Sequence, residues 1–154
     1  MDRRAYNAGM TAKELYDHDF VEWTRCNAAL LRAGRVEEID LEHLAEEIED
    51  RGAGQERDLR SRLRVLLTHL LKLQVEPGGR ATQVWKTTAR VQRDEIRQLL
   101  DRAPSLKRRI AKDVTGVYRL AVSGVAAGTE LPEAQFPETC PFSVDQVLAD
   151  EYFA

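Results

Sequence analysis

From Asp40 to Val75 the chain contains no proline, and its apolar residues return at three- and four-residue steps. Leu41, Leu44, Ala45, Ile48, Leu59, Leu63, Leu66, Leu70 and Leu73, with Gln55 in register, form one stripe of a single long helix. At 1.5 Å per residue such a helix extends for about 50 Å. Gly52 and Gly54 lie inside it, and each costs about 1 kcal/mol relative to alanine in a helix interior. The unbroken register of the stripe favours a continuous or mildly bent helix over a split into two. An element of this kind requires other helices to cover its apolar side.

The five prolines, Pro77, Pro104, Pro132, Pro137 and Pro141, all fall outside the periodic runs and mark the joints. A first helix is predicted from the N-cap Thr11 to about Ala33, burying Tyr16, Phe20, Trp23, Asn27, Leu30 and Leu31, with Gly34 as its left-handed C-cap. Asp40 caps the long second helix, and Glu76-Pro77-Gly78-Gly79 stops it. A third helix covers about 81–102, with Trp85, Ala89, Gln92, Ile96, Leu99 and Leu100 inward. A fourth begins at Pro104 and runs to about Val125. In the proline-rich tail Ser143 and Gln146 form a capping box for one short last helix. The expected fold is therefore all-α. It is an antiparallel bundle of four main helices with one long central helix and a short C-terminal helix. The expected organisation is a flexible segment 1–10 and a single helical domain 11–154, with 129–154 a tail that docks on the helical body.

At 154 residues the chain can bury a core without disulfides or metal. No apolar run approaches the roughly 18–20 residues of a membrane span, and the N-terminus has no apolar stretch behind its arginines. No membrane partner and a cytoplasmic location are the expectation, and the two distant cysteines, Cys26 and Cys140, are expected to be free thiols. Charge is segregated: residues 1–50 carry 6 basic and 13 acidic side chains, 51–112 carry 16 and 6, and 113–154 carry 1 and 7. Pairing of acidic and basic helices within one molecule accounts for this pattern more simply than a nucleic-acid partner.

Two clusters carry what chemistry the chain offers. Glu46 and Glu49 share one helical face, as do Glu47 and Asp50, and carboxylates so spaced can hold a divalent cation with a histidine in support. The candidate metal ligands are Glu46, Glu47, Asp50 and His69. A continuous helix separates Glu47 from His69 by about 33 Å, so only antiparallel pairing of two copies in a homodimer would bring them together. The second cluster is the stripe Lys86, Arg90, Arg93 and Arg97, a candidate face for a protein or nucleic acid. It lacks interleaved aromatics for base stacking, and Asp94 and Glu95 interrupt its surroundings. No H-E-x-x-H, C-x-x-C, P-loop or G-x-S-x-G motif is present, so neither catalytic residues nor a cofactor are expected.

Four runs add a resemblance: LYDHDFVEW from Leu15 to Trp23, LAEEIE from Leu44 to Glu49, HLLKLQ from His69 to Gln74, and FPETCPF from Phe136 to Phe142. In this order and spacing they resemble the bacterial domain-of-unknown-function family number 29, over about residues 14–150. The chain departs from the family pattern at Leu73, where tryptophan is frequent, and at Gly52-Ala53-Gly54. The resemblance implies an all-helical fold and brings no activity. The leading expectation is a non-enzymatic helical interaction or regulatory module that binds another protein or itself. The alternatives are a metal-dependent enzyme completed across a homodimer and nucleic-acid binding through the basic stripe.

Overall fold

The computed structural model describes residues 9–129 and 131–153, and these are all-α, with six α-helices and no strand among the described residues. They are α1 Ala12–His18, α2 Phe20–Ala33, α3 Leu41–Val75, α4 Thr82–Arg102, α5 Ile110–Thr129 and α6 Val144–Leu148. Of the segment 1–10 expected to be flexible, residues 1–8 lie outside those described, as do Glu130 and Ala154 of the tail. The chain divides into two compact units, the first ending at Ala53 and the second beginning at Gly54.

In the first unit the cap chemistry acts as the residue types dictate. Thr11 accepts from the Glu14 amide at 3.3 Å, and the Glu14 carboxylate accepts from the Thr11 amide at 2.7 Å, closing a capping box. Gly34 takes φ +69° and its neighbour Arg35 donates back to the Leu30 carbonyl, which ends α2. The single first helix expected over 11–33 is in fact two. Asp19 leaves helical geometry at φ −151°, donates its amide to Leu15 and accepts from the Glu22 amide at 3.0 Å. A short carboxylate that can cap the next turn competes with the continuing helix, and at Asp19 the cap wins.

Several stripe residues of this unit are not covered. Trp23 and Asn27 are buried as expected, but Phe20, Leu31, Leu41 and Ile48 stand exposed. The reason is the count of layers: α1, α2 and the start of α3 bury the residues between them, Leu15, Trp23 and Asn27 among these, and no further helix of this unit covers the others.

The second unit is packed through. Leu59, Leu63, Leu66, Leu67, Leu70 and Leu71 of α3 are fully buried against Ile96, Leu99 and Leu100 of α4 and Val114, Val117, Tyr118, Ala121, Val122 and Val125 of α5. Each of the Leu, Ile and Val side chains contributes about 1.5–3 kcal/mol relative to leaving it in water. Contacts fix the helix directions. Arg62 meets Glu95 at 3.3 Å and Lys72 lies over the Trp85 ring at 5.8 Å, so a rise along α3 is a descent along α4. Gly116, Gly124 and Gly128 of α5 lie against Arg60, Thr68 and Lys72 in turn, so α5 runs parallel to α3. This is an up-down-up bundle. The segment opened by Pro104 begins as a 3-10 helix, Pro104–Arg109, before α5, which continues to Thr129 rather than stopping near Val125.

The tail lies on this bundle. Phe136, Phe142 and Val147 are buried, and the Tyr118 hydroxyl donates to the Pro137 carbonyl at 2.8 Å. Ser143 and Gln146 form the expected capping box at the start of α6.

Candidate functional site

The first unit is held by a polar knot at the α2–α3 seam. Asp40, just before α3, accepts from the Trp23 indole N–H at 3.0 Å and is 2.7 Å from Nδ1 of His43. Its amide donates to the Asn27 side-chain carbonyl at 2.9 Å, and the Asn27 amide group donates to the Trp23 carbonyl. Burial pushes the Asp40 carboxyl up, but the hydrogen bonds from His43 and Trp23 outweigh it and hold the group below its ordinary value. Tyr16 stacks on His43 with ring centroids 3.9 Å apart and donates its hydroxyl to Glu47 at 2.8 Å. That bond comes first in raising the phenol to about 12, followed by burial and the charge of Glu47.

Above this knot lies a cleft of about 360 Å³. Its α2 wall is Phe20, Trp23, Ala28 and Leu31, and its α3 wall is Leu44 and Ile48, with Glu47 and Arg51 at the edge. Phe20 stacks on Trp23 at 5.3 Å, so the knot below orients the aromatic wall. Phe20, Leu31 and Ile48 are 46%, 51% and 66% exposed, values that mark a concave apolar surface in contact with water. The spacing on each wall is that of one helical face, so the cleft is a groove between two helices.

The metal candidates are distributed differently from this groove. Glu46 and Asp50 are exposed, Glu47 is engaged by Tyr16, and His69 belongs to the second unit with its Nδ1 2.8 Å from the Val65 carbonyl. Among the described residues no group of three or more His, Cys, Asp or Glu side chains is arranged to hold a metal ion.

The basic stripe is divided. Arg90 is exposed and Lys86 is half-buried, but Arg93 is only 2% exposed. Its guanidinium donates to the carbonyls of Val147 and Tyr152, each at 2.9 Å, and to that of Asp150 at 3.5 Å. Arg97 donates to the Leu148 carbonyl and to the Asp150 carboxylate, and also to Asp94. Helical spacing makes the four residues one candidate face for a protein or nucleic acid, but the carbonyls that claim Arg93 come from more than fifty residues further along. Cys140 is half-buried, and burial pushes its thiol up, opposite to what a nucleophile requires.

Sequence reasoning placed Phe20, Leu31, Leu44 and Ile48 on inner stripes and so missed the groove they form. Asn27 on an otherwise apolar stripe was the available signal for the polar knot, since a buried amide needs partners.

No helix among the described residues is long and apolar enough to cross a membrane. No curated protein and no solved structure matches the chain. The family model described as "Domain of unknown function DUF29" matches residues 15–153, and the chain belongs to that family.

Proposed function

We propose that this DUF29 member is a helical protein–protein interaction module whose first unit receives a partner in the groove between α2 and α3. The observation that carries the reading is the exposure of Phe20, Leu31 and Ile48 around a formed apolar cleft. Large apolar side chains scattered singly on a surface need no explanation, but a set lining one concavity marks a binding surface. The support beneath it is consistent with that use. A seam tied by Asp40, Trp23 and Asn27 keeps the two walls in place without a partner, so little ordering is left for the moment of binding.

The test is affinity capture from native lysate at moderate salt after nuclease treatment. Wild-type protein is compared with Ile48→Asp, Leu31→Asp and, as a control away from the groove, Arg90→Glu. A stoichiometric protein retained by wild type and Arg90→Glu and lost from both groove variants is the expected result. Retention by the groove variants, or no stoichiometric partner at all, counts against the reading.

A further inference from the structure

The second unit has a cavity of its own, of about 270 Å³, where α4 meets the end of the tail. Gln83, Lys86, Arg90 and Arg93 line it from α4, and Asp150 and Phe153 line it from the tail. Steps of three, four and three place the α4 residues on one helical face. Phe153 is held by edge contacts with the rings of Phe142 and Tyr152. The lining thus carries three cations and one carboxylate, and that carboxylate is also bound by Arg97. Arg93 is the most informative of the cations. It is 2% exposed, and the acceptors it meets are the neutral carbonyls of Val147, Asp150 and Tyr152. These take three of the five N–H groups of the guanidinium and supply no countercharge. Asp150 and Glu151 act on its charge through space, but neither forms an ion pair with it among the described residues. A buried charge is ordinarily paired, and the cavity is where a counterion can reach this one. The volume falls below the roughly 300–1,000 Å³ of sites for drug-sized ligands, which suits a single small group. Three cations less one carboxylate leave a charge of +2, which a phosphoryl dianion neutralises, and arginine matches its oxygens with paired N–H donors. We infer that this cavity binds a phosphate dianion, as the free ion or as the phosphoryl group of a monoester.

The test uses the full chain in chloride buffer at constant ionic strength, with inorganic phosphate, phenyl phosphate and acetate as probes. Binding is read by isothermal titration calorimetry and by the rise of Tm with ligand concentration. Phosphate is expected to bind saturably and at least about tenfold more tightly than acetate. Arg90→Gln is expected to weaken phosphate binding at least about tenfold, and Lys86→Gln to weaken it in the same direction. Arg108→Gln removes an equal charge from an exposed position off the cavity and is expected to leave the affinity unchanged. Arg90 is exposed and enters no ion pair among the described residues, so its replacement leaves the helix intact, which circular dichroism verifies.

Tighter binding of phenyl phosphate than of inorganic phosphate would support the site and assign it to a monoester whose body rests on Phe153. Equal or weaker binding of phenyl phosphate, with phosphate itself bound, would support the site and assign it to the free ion. Acetate bound as tightly as phosphate would overturn the choice of a dianion. Phosphate affinity unchanged in both cavity variants, or lowered as much by Arg108→Gln, would overturn the inference as attraction to surface charge. No saturable binding of either phosphate probe at millimolar concentration would remove it, and the α2–α3 groove, which belongs to the first unit, would be unaffected.

Discussion

Arg93 ties the tail of the second unit to α4. Burial lowers the pKa of its guanidinium, with Asp150 acting in the opposite sense, yet an arginine stays charged at neutral pH. Three tail carbonyls take the place of its water shell. Arg93→Ala is expected to lower stability by about 3 kcal/mol, because the carbonyls of Val147 and Tyr152 lose a charged donor. Arg93→Lys should recover only part of this, since a single ammonium cannot reproduce the fork. Urea unfolding of the three proteins measures both differences. In the first unit Tyr16 offers a pH signature. A phenol raised to about 12 when folded, against about 10 when unfolded, contributes stability that is complete below pH 10 and is lost as pH rises toward 12. Glu47→Gln removes the charge that comes with the hydrogen bond, so one tyrosine should ionise closer to 10. Absorbance titration of wild type and variant shows the shift, and identical curves would contradict the Tyr16–Glu47 contact.

Among the elements, α3 illustrates what a sequence makes legible. Its start, its stop and its passage through Gly52 and Gly54 all follow from local rules, as do the caps at Thr11, Gly34 and Ser143. No atom outside the local backbone lies within 4 Å of a Cβ placed on Gly52, and its φ is not positive, so nothing in the structure requires glycine there. Gly52→Ala should therefore stabilise the protein by about 0.5–1 kcal/mol, seen as a higher urea midpoint with unchanged slope. What local rules do not carry is how many layers cover a stripe. Leu59 and Ile48 lie on the same side of α3 by spacing, yet one is fully buried and the other mostly exposed. The difference arises from neighbours far away in sequence. The same holds for Arg93, whose spacing places it beside Arg90 while its partners are the carbonyls of Val147, Asp150 and Tyr152 in the tail. Asp19 was hidden for a different reason: one residue inside a periodic run can be either a helical surface position or a cap, and periodicity does not distinguish them.

At the scale of the whole molecule the two units can be followed separately, because each contains one tryptophan, Trp23 in the first and Trp85 in the second. Trp23 donates to Asp40, whose carboxyl is held below its usual value. The stability Asp40 contributes is present above the ordinary carboxylate value of about 4 and is lost as pH falls through the lower folded value. A Trp85→Phe protein, reporting through Trp23 alone, should lose its native emission as pH falls below about 4. Asp40→Asn should remove this dependence from the first unit. An unchanged acid transition in that variant would assign the effect to other carboxylates. The Arg93 clamp carries a consequence in time as well as in energy. During synthesis Arg93 leaves the ribosome more than fifty residues before Val147, Asp150 and Tyr152, so a cation destined for the interior waits in water for its acceptors. The bundle of the second unit thus closes around Arg93 only when the tail arrives, and a nascent chain paused before Val147 would hold this arginine still hydrated.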